Sequence, residues 1–170
     1  GGFGHGHTVF DELLRVPLIV LLPGRPHAGE VVATRVSLID LTPTILDVAG
    51  FDPPNTAQGE SLLPLVGRPA REDRVTYAST AKIDEIRTVI VGRYKLIHPV
   101  DVPGPAMLFD LDADPGEQRN LFADRPDEVR RLRKAMAILR LSRRRAGTSL
   151  ASVPIPPDRI EELRSLGYVR

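Results

Sequence analysis

The residues best suited to chemistry lie at the start of the chain, in the run Gly4-His5-Gly6-His7-Thr8. Glycines let the backbone approach a ligand closely, and consecutive main-chain N–H groups can point toward an anion. An imidazole can donate a hydrogen bond to that anion or bind a metal ion. By its spacing alone, however, a Gly/His run at a chain start is more typical of a flexible terminus than of a site. The elements that follow it must decide between the two.

A buried strand and an amphipathic helix are predicted after this run. Residues 8–14 are expected to form a short turn or helix. Residues 16–22 are an apolar run interrupted only by Pro17, which suits a strand buried on both faces of a mostly parallel sheet. Residues 35–50 place apolar side chains at helical spacing, with Asp40 as a plausible N-cap and Gly50 at the end. A strand followed by a helix is the last unit of an α/β layered fold.

A smaller second unit is predicted beyond residue 75. Its three short β-type runs are separated by turn signals and predict a small antiparallel sheet; they are residues 75–79, 87–97 and 107–111. Residues 126–145 carry one apolar stripe and predict a helix across that sheet. The predicted domains are residues 1–50, the end of a large catalytic α/β domain, residues 51–74, a proline- and glycine-containing linker, and residues 75–170, a C-terminal subdomain.

Composition bounds the class of protein. With 170 residues, 42% hydrophobic and 26% charged, the chain can bury one ordinary core and is neither disordered nor fibrous. It has no cysteine, which excludes disulfides and thiolate metal sites. The longest apolar run is far shorter than the roughly 20 residues of a membrane-spanning helix, so no membrane partner is predicted. Because the first residue is Gly1 and no signal-peptide pattern follows, we expect the chain to begin within a longer protein.

Positive charge is concentrated in residues 125–145, which hold nine basic and two acidic residues. Such a cluster could attract nucleic acid or another polyanion. Aromatic residues do not interleave with it, so the platforms on which bases stack are missing. The pattern is more typical of the solvated face of a helix, and no nucleic-acid partner is predicted.

The residues that follow the glycines and histidines change the interpretation of the run. Residues 4–20 resemble the segment of sulfatases that follows their metal-binding Asp-His/Asn-Gly motif. That segment has a His or Lys, then glycine, Thr or Ser, an aromatic, an acidic pair and Arg-Val-Pro. The matching residues here are His5, Gly6, Thr8, Phe10, Asp11, Glu12, Arg15, Val16 and Pro17. Phe10 departs mildly from the more common Tyr.

Four later stretches resemble the same family in the same order. They are residues 37–46 with Asp-x-x-Pro-Thr, residues 58–62 with Gly-x-Ser-Leu, residues 87–97 of the small sheet, and residues 108–121 with Leu-Phe-Asp-Leu, Asp-Pro-x-Glu and Asn-Leu. Five matches in register from residue 4 to residue 121 make chance an unsatisfactory explanation. Residues 166–169, Leu-Gly-Tyr-Val, also resemble a common sulfatase C-terminus, so the resemblance covers nearly the whole chain. The chain is therefore identified as resembling the C-terminal part of a sulfatase of the alkaline phosphatase superfamily.

This resemblance implies an enzyme that hydrolyses sulfate esters of a small molecule or a glycan. It implies a formylglycine nucleophile and a divalent cation, usually calcium, both supplied by residues upstream of this chain. His5 takes the place of the family's sulfate-contacting His or Lys, and His7 is the second candidate catalytic residue. No metal ligand is assigned within the chain.

A structural role is favoured for the other polar residues near the run, which are Thr8, Asp11 and Arg15. The nucleophile motif Cys/Ser-x-Pro-x-Arg is absent, because the one similar pattern, starting at Ser152, has Pro156 where arginine is required. The chain by itself is thus expected to be inactive.

Two other functions remain open from the sequence. A phosphate or phosphonate ester hydrolase of the same superfamily would have similar residues near His5. A non-catalytic module that binds polyanions through the basic helix would show strongly salt-dependent association.

Overall fold

A computed structural model describes residues 8–24, 26–80, 85–100, 103–145, 159–161 and 164 of the chain. In chain order, the elements are the helices α1 (Asp11–Leu14) and α2 (Leu41–Val48), the strands β1 (Val75–Ser79), β2 (Ile86–Val91), β3 (Tyr94–Pro99) and β4 (Met107–Asp110), and the helix α3 (Pro126–Arg145). Single 3-10 turns occur at Leu38–Asp40 and Leu63–Leu65. Among the described residues, none of the helices combines the length and apolar character needed to span a bilayer.

The four strands form one antiparallel sheet in the order β1-β2-β3-β4, so each strand pairs with its neighbour in sequence. Strands β2 and β3 form a tight hairpin in which Val91 pairs with Tyr94. The turn between them requires a positive φ, and Gly92 supplies it at 60°. The predicted small antiparallel sheet is confirmed, and the run predicted at residues 87–97 is divided into two strands by this turn.

Helix α3 covers one face of the sheet. Its buried side chains Val129, Leu132 and Met136 recur at helical spacing and form the apolar stripe predicted for this helix. They belong to one core with four buried residues of the strands, Val89, Val91, Leu96 and Leu108. On the outside of the helix, Arg130 and Arg131 pair with the acidic residues of the first turn. The bounds of the helix agree with those predicted.

The N-terminal segment covers the opposite face of the sheet. Val9 is only 1% exposed and lies in a core with four buried residues from or next to the strands, Ile90, Ile97, Phe109 and Leu111. Phe10 and Leu14 pack against the same core. Residues that precede α2 and residues that follow the linker therefore share one hydrophobic core.

The strand predicted at residues 16–22 does not form in the structure. A strand exists through hydrogen bonds to a neighbouring strand, and this segment pairs with none in the described part of the chain. Ile19 and Leu21 are 93% and 74% exposed. Together with Val31, which is 92% exposed, they border an apolar depression of about 710 Å³. The segment thus presents apolar side chains without the parallel neighbours that the prediction assumed.

The helix predicted at residues 35–50 is confirmed with shorter bounds. The 3-10 turn Leu38–Asp40 leads into α2, and Gly50 ends the helix with a φ of 77°. Asp40 precedes α2, but its carboxylate does not cap that helix. It accepts a hydrogen bond from the N–H of Ser37 at 2.7 Å instead. Asp40 occupies the predicted N-cap position of α2, but its side chain makes no cap hydrogen bond to that helix, because the carboxylate has other partners.

Candidate functional site

The two predicted site residues, His5 and His7, lie outside the described residues. The described chain begins at Thr8, whose hydroxyl accepts a hydrogen bond from the N–H of Phe10 at 3.4 Å. Between them, Val9 inserts into the core below the sheet. The chain is therefore anchored to the C-terminal sheet at Val9, two residues after His7.

A buried cluster of charges lies next to this anchor. The ammonium of Lys95, on β3, is 2.7 Å from Oδ1 of Asp11 and 2.7 Å from Oε1 of Glu117. The N–H of Asp11 also donates to Oε2 of Glu117 at 2.6 Å. Arg35 approaches Oδ2 of Asp11 at 3.7 Å from the partly exposed side. Two cations and two carboxylates thus meet where the N-terminal segment crosses the sheet.

Burial makes the interactions of this cluster strong. The side chains of Lys95 and Glu117 are 0% and 4% exposed, and that of Asp11 is 11% exposed. A charge removed from water is tolerated only when it is paired, and each carboxylate here faces the same ammonium. Glu117 has a φ of 53°, which is uncommon for a side chain larger than glycine and points to a position fixed by its surroundings.

The sequence interpretation expected a short turn or helix at residues 8–14 and a β-type run at residues 87–97, and the structure confirms both, with Asp11 at the start of α1 and Lys95 in β3. It missed that the two side chains bind each other across 84 positions in sequence. One signal was available in the sequence: in a β-strand Lys95 lies on the same face as Ile97, two residues later, so an apolar face at this strand would include the lysine. A lysine on such a face requires a buried carboxylate.

An open depression of about 610 Å³ lies over the cluster. It is bordered by residues 10–12 on one side and by residues 115–118 on the other, with Arg15 at its rim. The structural role favoured for Arg15 from the sequence stays a prediction.

A second buried ion pair fixes the linker against α2. Arg74 donates to Oδ1 of Asp40 at 2.8 Å, and these side chains are 9% and 2% exposed. The same carboxylate accepts the N–H of Glu60 at 3.0 Å. Thr44 adds a bridge, because its hydroxyl donates to the carbonyl of Asp40 and accepts the N–H of Leu62. The residues of the Asp-x-x-Pro-Thr and Gly-x-Ser-Leu motifs therefore hold each other.

Gly59 is required at this junction by close packing. A Cβ at this position would lie 2.2 Å from the carbonyl oxygen of Ile39 and 2.8 Å from the nitrogen of Asp40. No carbon atom fits at such distances, so the main chain of residue 59 passes directly against the 3-10 turn. The glycine of the motif has a packing role.

The acidic turn after β4 is organised by its own hydrogen bonds. Asp110 accepts the N–H groups of Asp112 and Ala113, and Asp114 accepts that of Arg119. Arg93 donates a hydrogen bond to Oδ1 of Asp110 at 2.6 Å, and this positive charge holds the pKa of Asp110 below its usual value. These hydrogen bonds show that Asp110 and Asp114 shape the turn. Within the described ranges, no group of three or more His, Cys, Asp or Glu residues is placed to hold a metal ion.

The family of the chain follows from comparison with known proteins. Residues 2–143 match the family model described as "N-sulphoglucosamine sulphohydrolase, C-terminal". The chain belongs to the sulfatase family. This sulfatase chain is 33% identical over 147 residues to arylsulfatase A of Bos taurus, an alignment that covers 72% of the chain and 29% of the bovine protein.

Solved structures agree with this assignment. The structure of BT4656 in complex with its substrate, D-glucosamine-2-N,6-O-disulfate, superposes with a TM-score of 0.54 at 25% identity, over 61% of this chain and 23% of that one. The phosphonate monoester hydrolase of Agrobacterium radiobacter superposes with a TM-score of 0.51 at 25% identity, over 78% of this chain and 30% of that one. The sulfatase chain spans between 22% and 29% of the length of the curated relatives it matches.

Proposed function

We propose that this chain is the C-terminal part of an enzyme that hydrolyses sulfate esters. One observation carries the proposal: the family match extends over residues 2–143 and includes the histidine segment as well as the small sheet. The buried pairs give this match a physical meaning, because Asp11, Lys95 and Glu117 join three of the recognised motifs into one structure. We also propose that residues 51–74 form the linker between the end of the catalytic domain, residues 1–50, and the C-terminal subdomain, residues 75–170.

In this enzyme His5 contacts the sulfate group, and His7 is the second candidate. A sulfate ester spreads negative charge over its non-bridging oxygens as the ester bond breaks, and a fixed donor beside these oxygens stabilises that charge. The support for the assignment is the motif position of His5 and the anchoring of the chain at Val9, four residues later.

The nucleophile and the metal ion belong to the upstream part of the proposed enzyme. The described residues offer no cluster that fits a divalent cation, so no step of the reaction is assigned to such an ion here. A calcium ion held by upstream carboxylates, together with a formylglycine, remains the proposal that the family resemblance supports. On this proposal the chain alone is inactive.

The substrate class follows the relatives. The bound substrate of BT4656 is a sulfated amino sugar, which supports a sulfated glycan or small molecule as the ester. The cations of α3 are proposed to have a structural and solvating role and to bind no nucleic acid. Arg130 and Arg131 are paired within the helix, and Arg133 lies over the ring of Phe122.

The test joins the chain to the region encoded upstream of Gly1 and measures hydrolysis of 4-nitrophenyl sulfate. The joined protein should be active and the isolated chain inactive. His5→Asn should lower kcat/KM by about 100-fold, the effect of losing one donor to a developing oxyanion. His27→Asn is the matched control, because His27 is exposed, binds only the nearby Glu30 among described residues, and has a φ of 60° that asparagine tolerates.

A phosphonate ester hydrolase is the second candidate, favoured by the superposition with the enzyme of Agrobacterium radiobacter. The same preparations are therefore assayed with 4-nitrophenyl phenylphosphonate. Faster cleavage of the phosphonate than of the sulfate would replace the sulfatase proposal by this one. No cleavage of either ester by the joined protein would contradict both.

A further inference from the structure

We propose that Lys95 is a positioning residue, which fixes the segment after His5 and His7 against the C-terminal sheet through Asp11 and Glu117. The inference rests on the proposed function, because it assigns a role to that segment in the reaction. It adds a residue from the small sheet to those that determine the geometry of the proposed site.

Lys95 is a rigid point in the molecule. It lies within β3, between β2 and β4, and its Cα is opposite Ile90 on one side and Phe109 on the other. Two strands therefore fix its main chain, and its side chain is 0% exposed. An ammonium held in this way gives its partners a fixed point of contact.

Asp11 is held at two places. Its carboxylate binds the ammonium of Lys95 at 2.7 Å, and its N–H binds Glu117, which binds the same ammonium. Rotation of the first turn of α1 would break both contacts together. With Val9 buried in the core, the chain is fixed on each side of Phe10.

The fixed point is close to the histidines in covalent terms. Val9 follows His7 by two residues, a span of about 7 Å when the chain is fully extended. A shift of about 1 Å in a residue that contacts the reacting group can lower a rate by about 100-fold. Movement at Asp11 and Val9 is thus large enough to matter at the sulfate.

A charged cluster can fix position where apolar packing does not. The contacts of Val9 are non-directional, whereas Oδ1 of Asp11 accepts a hydrogen bond from Lys95 and Oε2 of Glu117 accepts one from the N–H of Asp11. Removing one partner of a buried ion pair is strongly destabilising, whereas replacing the whole pair by uncharged, hydrophobic residues of similar volume is often neutral. The two roles of Lys95, stabilising and positioning, can therefore be separated by mutation.

The experiment compares Lys95→Met with the neutral triple variant Asp11→Asn, Lys95→Met, Glu117→Gln. Hydrogen exchange is measured on the 170-residue chain, and kcat and KM for 4-nitrophenyl sulfate are measured on the chain joined to its upstream region. Lys134→Met is the matched control, because Lys134 is exposed on α3. The triple variant removes the charges of Asp11, Lys95 and Glu117 and leaves only that of the partly exposed Arg35. It should regain part of the unfolding midpoint that Lys95→Met loses, because no buried carboxylate is left without its ammonium.

The expected result is faster exchange at residues 8–14, by at least tenfold, in both Lys95 variants, with β2 and β3 still protected in the triple variant. In the joined protein kcat should fall by about 100-fold in both variants, with a smaller change in KM. A triple variant with native exchange at residues 8–14, or with native kcat, would overturn the proposal. Exchange involves no substrate, so it decides the fixing of the segment even when the joined protein is not a sulfatase.

Discussion

Replacing Arg74 by methionine should destabilise the chain far more than the same change at Arg71. Arg74 is 9% exposed and binds Asp40, which is 2% exposed, at 2.8 Å. Removing one partner of a buried pair costs about 3–5 kcal/mol. Asp40 keeps two main-chain donors, at Ser37 and Glu60, so the lower end, about 3 kcal/mol, applies here. Arg71 binds Asp73 at the surface, where solvent screens the pair, and its loss should leave the unfolding midpoint nearly unchanged.

The assay is urea unfolding of the dilute chain followed by circular dichroism, with Asp40→Asn and the double variant completing a mutant cycle. Because the two groups bind each other, the double variant should be less destabilised than the sum of the single variants, by about 2 kcal/mol. Additive effects, or equal losses for Arg74→Met and Arg71→Met, would refute the reasoning that this pair fixes the linker to α2.

Three further results are expected. Gly59→Ala should destabilise the chain by about 2 kcal/mol in thermal unfolding, because the new Cβ would lie 2.2 Å from a main-chain carbonyl oxygen. Gly104→Ala is the control and should have little effect, because the nearest atom to its Cβ would be 3.7 Å away. Arg93→Gln should lower the midpoint at neutral pH only. The depressed pKa of Asp110 stabilises the fold above the unfolded value of about 3.9, and this contribution is lost as the pH falls through the lower folded pKa, so midpoints measured from pH 7 to pH 2.5 should converge. The isolated chain should self-associate through the exposed segment 16–22, and Ile19→Lys should reduce its mass in light scattering; a monodisperse parent chain would contradict this.

The exposed segment at residues 16–22 shows which structural features a local sequence pattern can predict and which depend on the tertiary structure. The apolar run at residues 16–22 has the length and composition that are typical of a buried strand. The strand itself needs neighbours, and none is present among the described residues. Helix α3, by contrast, makes its own hydrogen bonds and has the bounds that its periodicity predicts. Local elements can be predicted from sequence where their hydrogen bonds are local.

The sequence by itself determined the family, the antiparallel sheet and the helix α3, because these depend on motifs and on periodicities within short stretches. Only the tertiary structure decided that Lys95 binds Asp11 and Glu117, and that Asp40 turns away from its helix toward Arg74. These pairs join residues that are 84, 22 and 34 positions apart. The sequence indicates that a buried charged side chain needs a partner of opposite charge. Which residue becomes that partner depends on the tertiary structure, because only the packed fold determines which carboxylate is removed from water next to the cation.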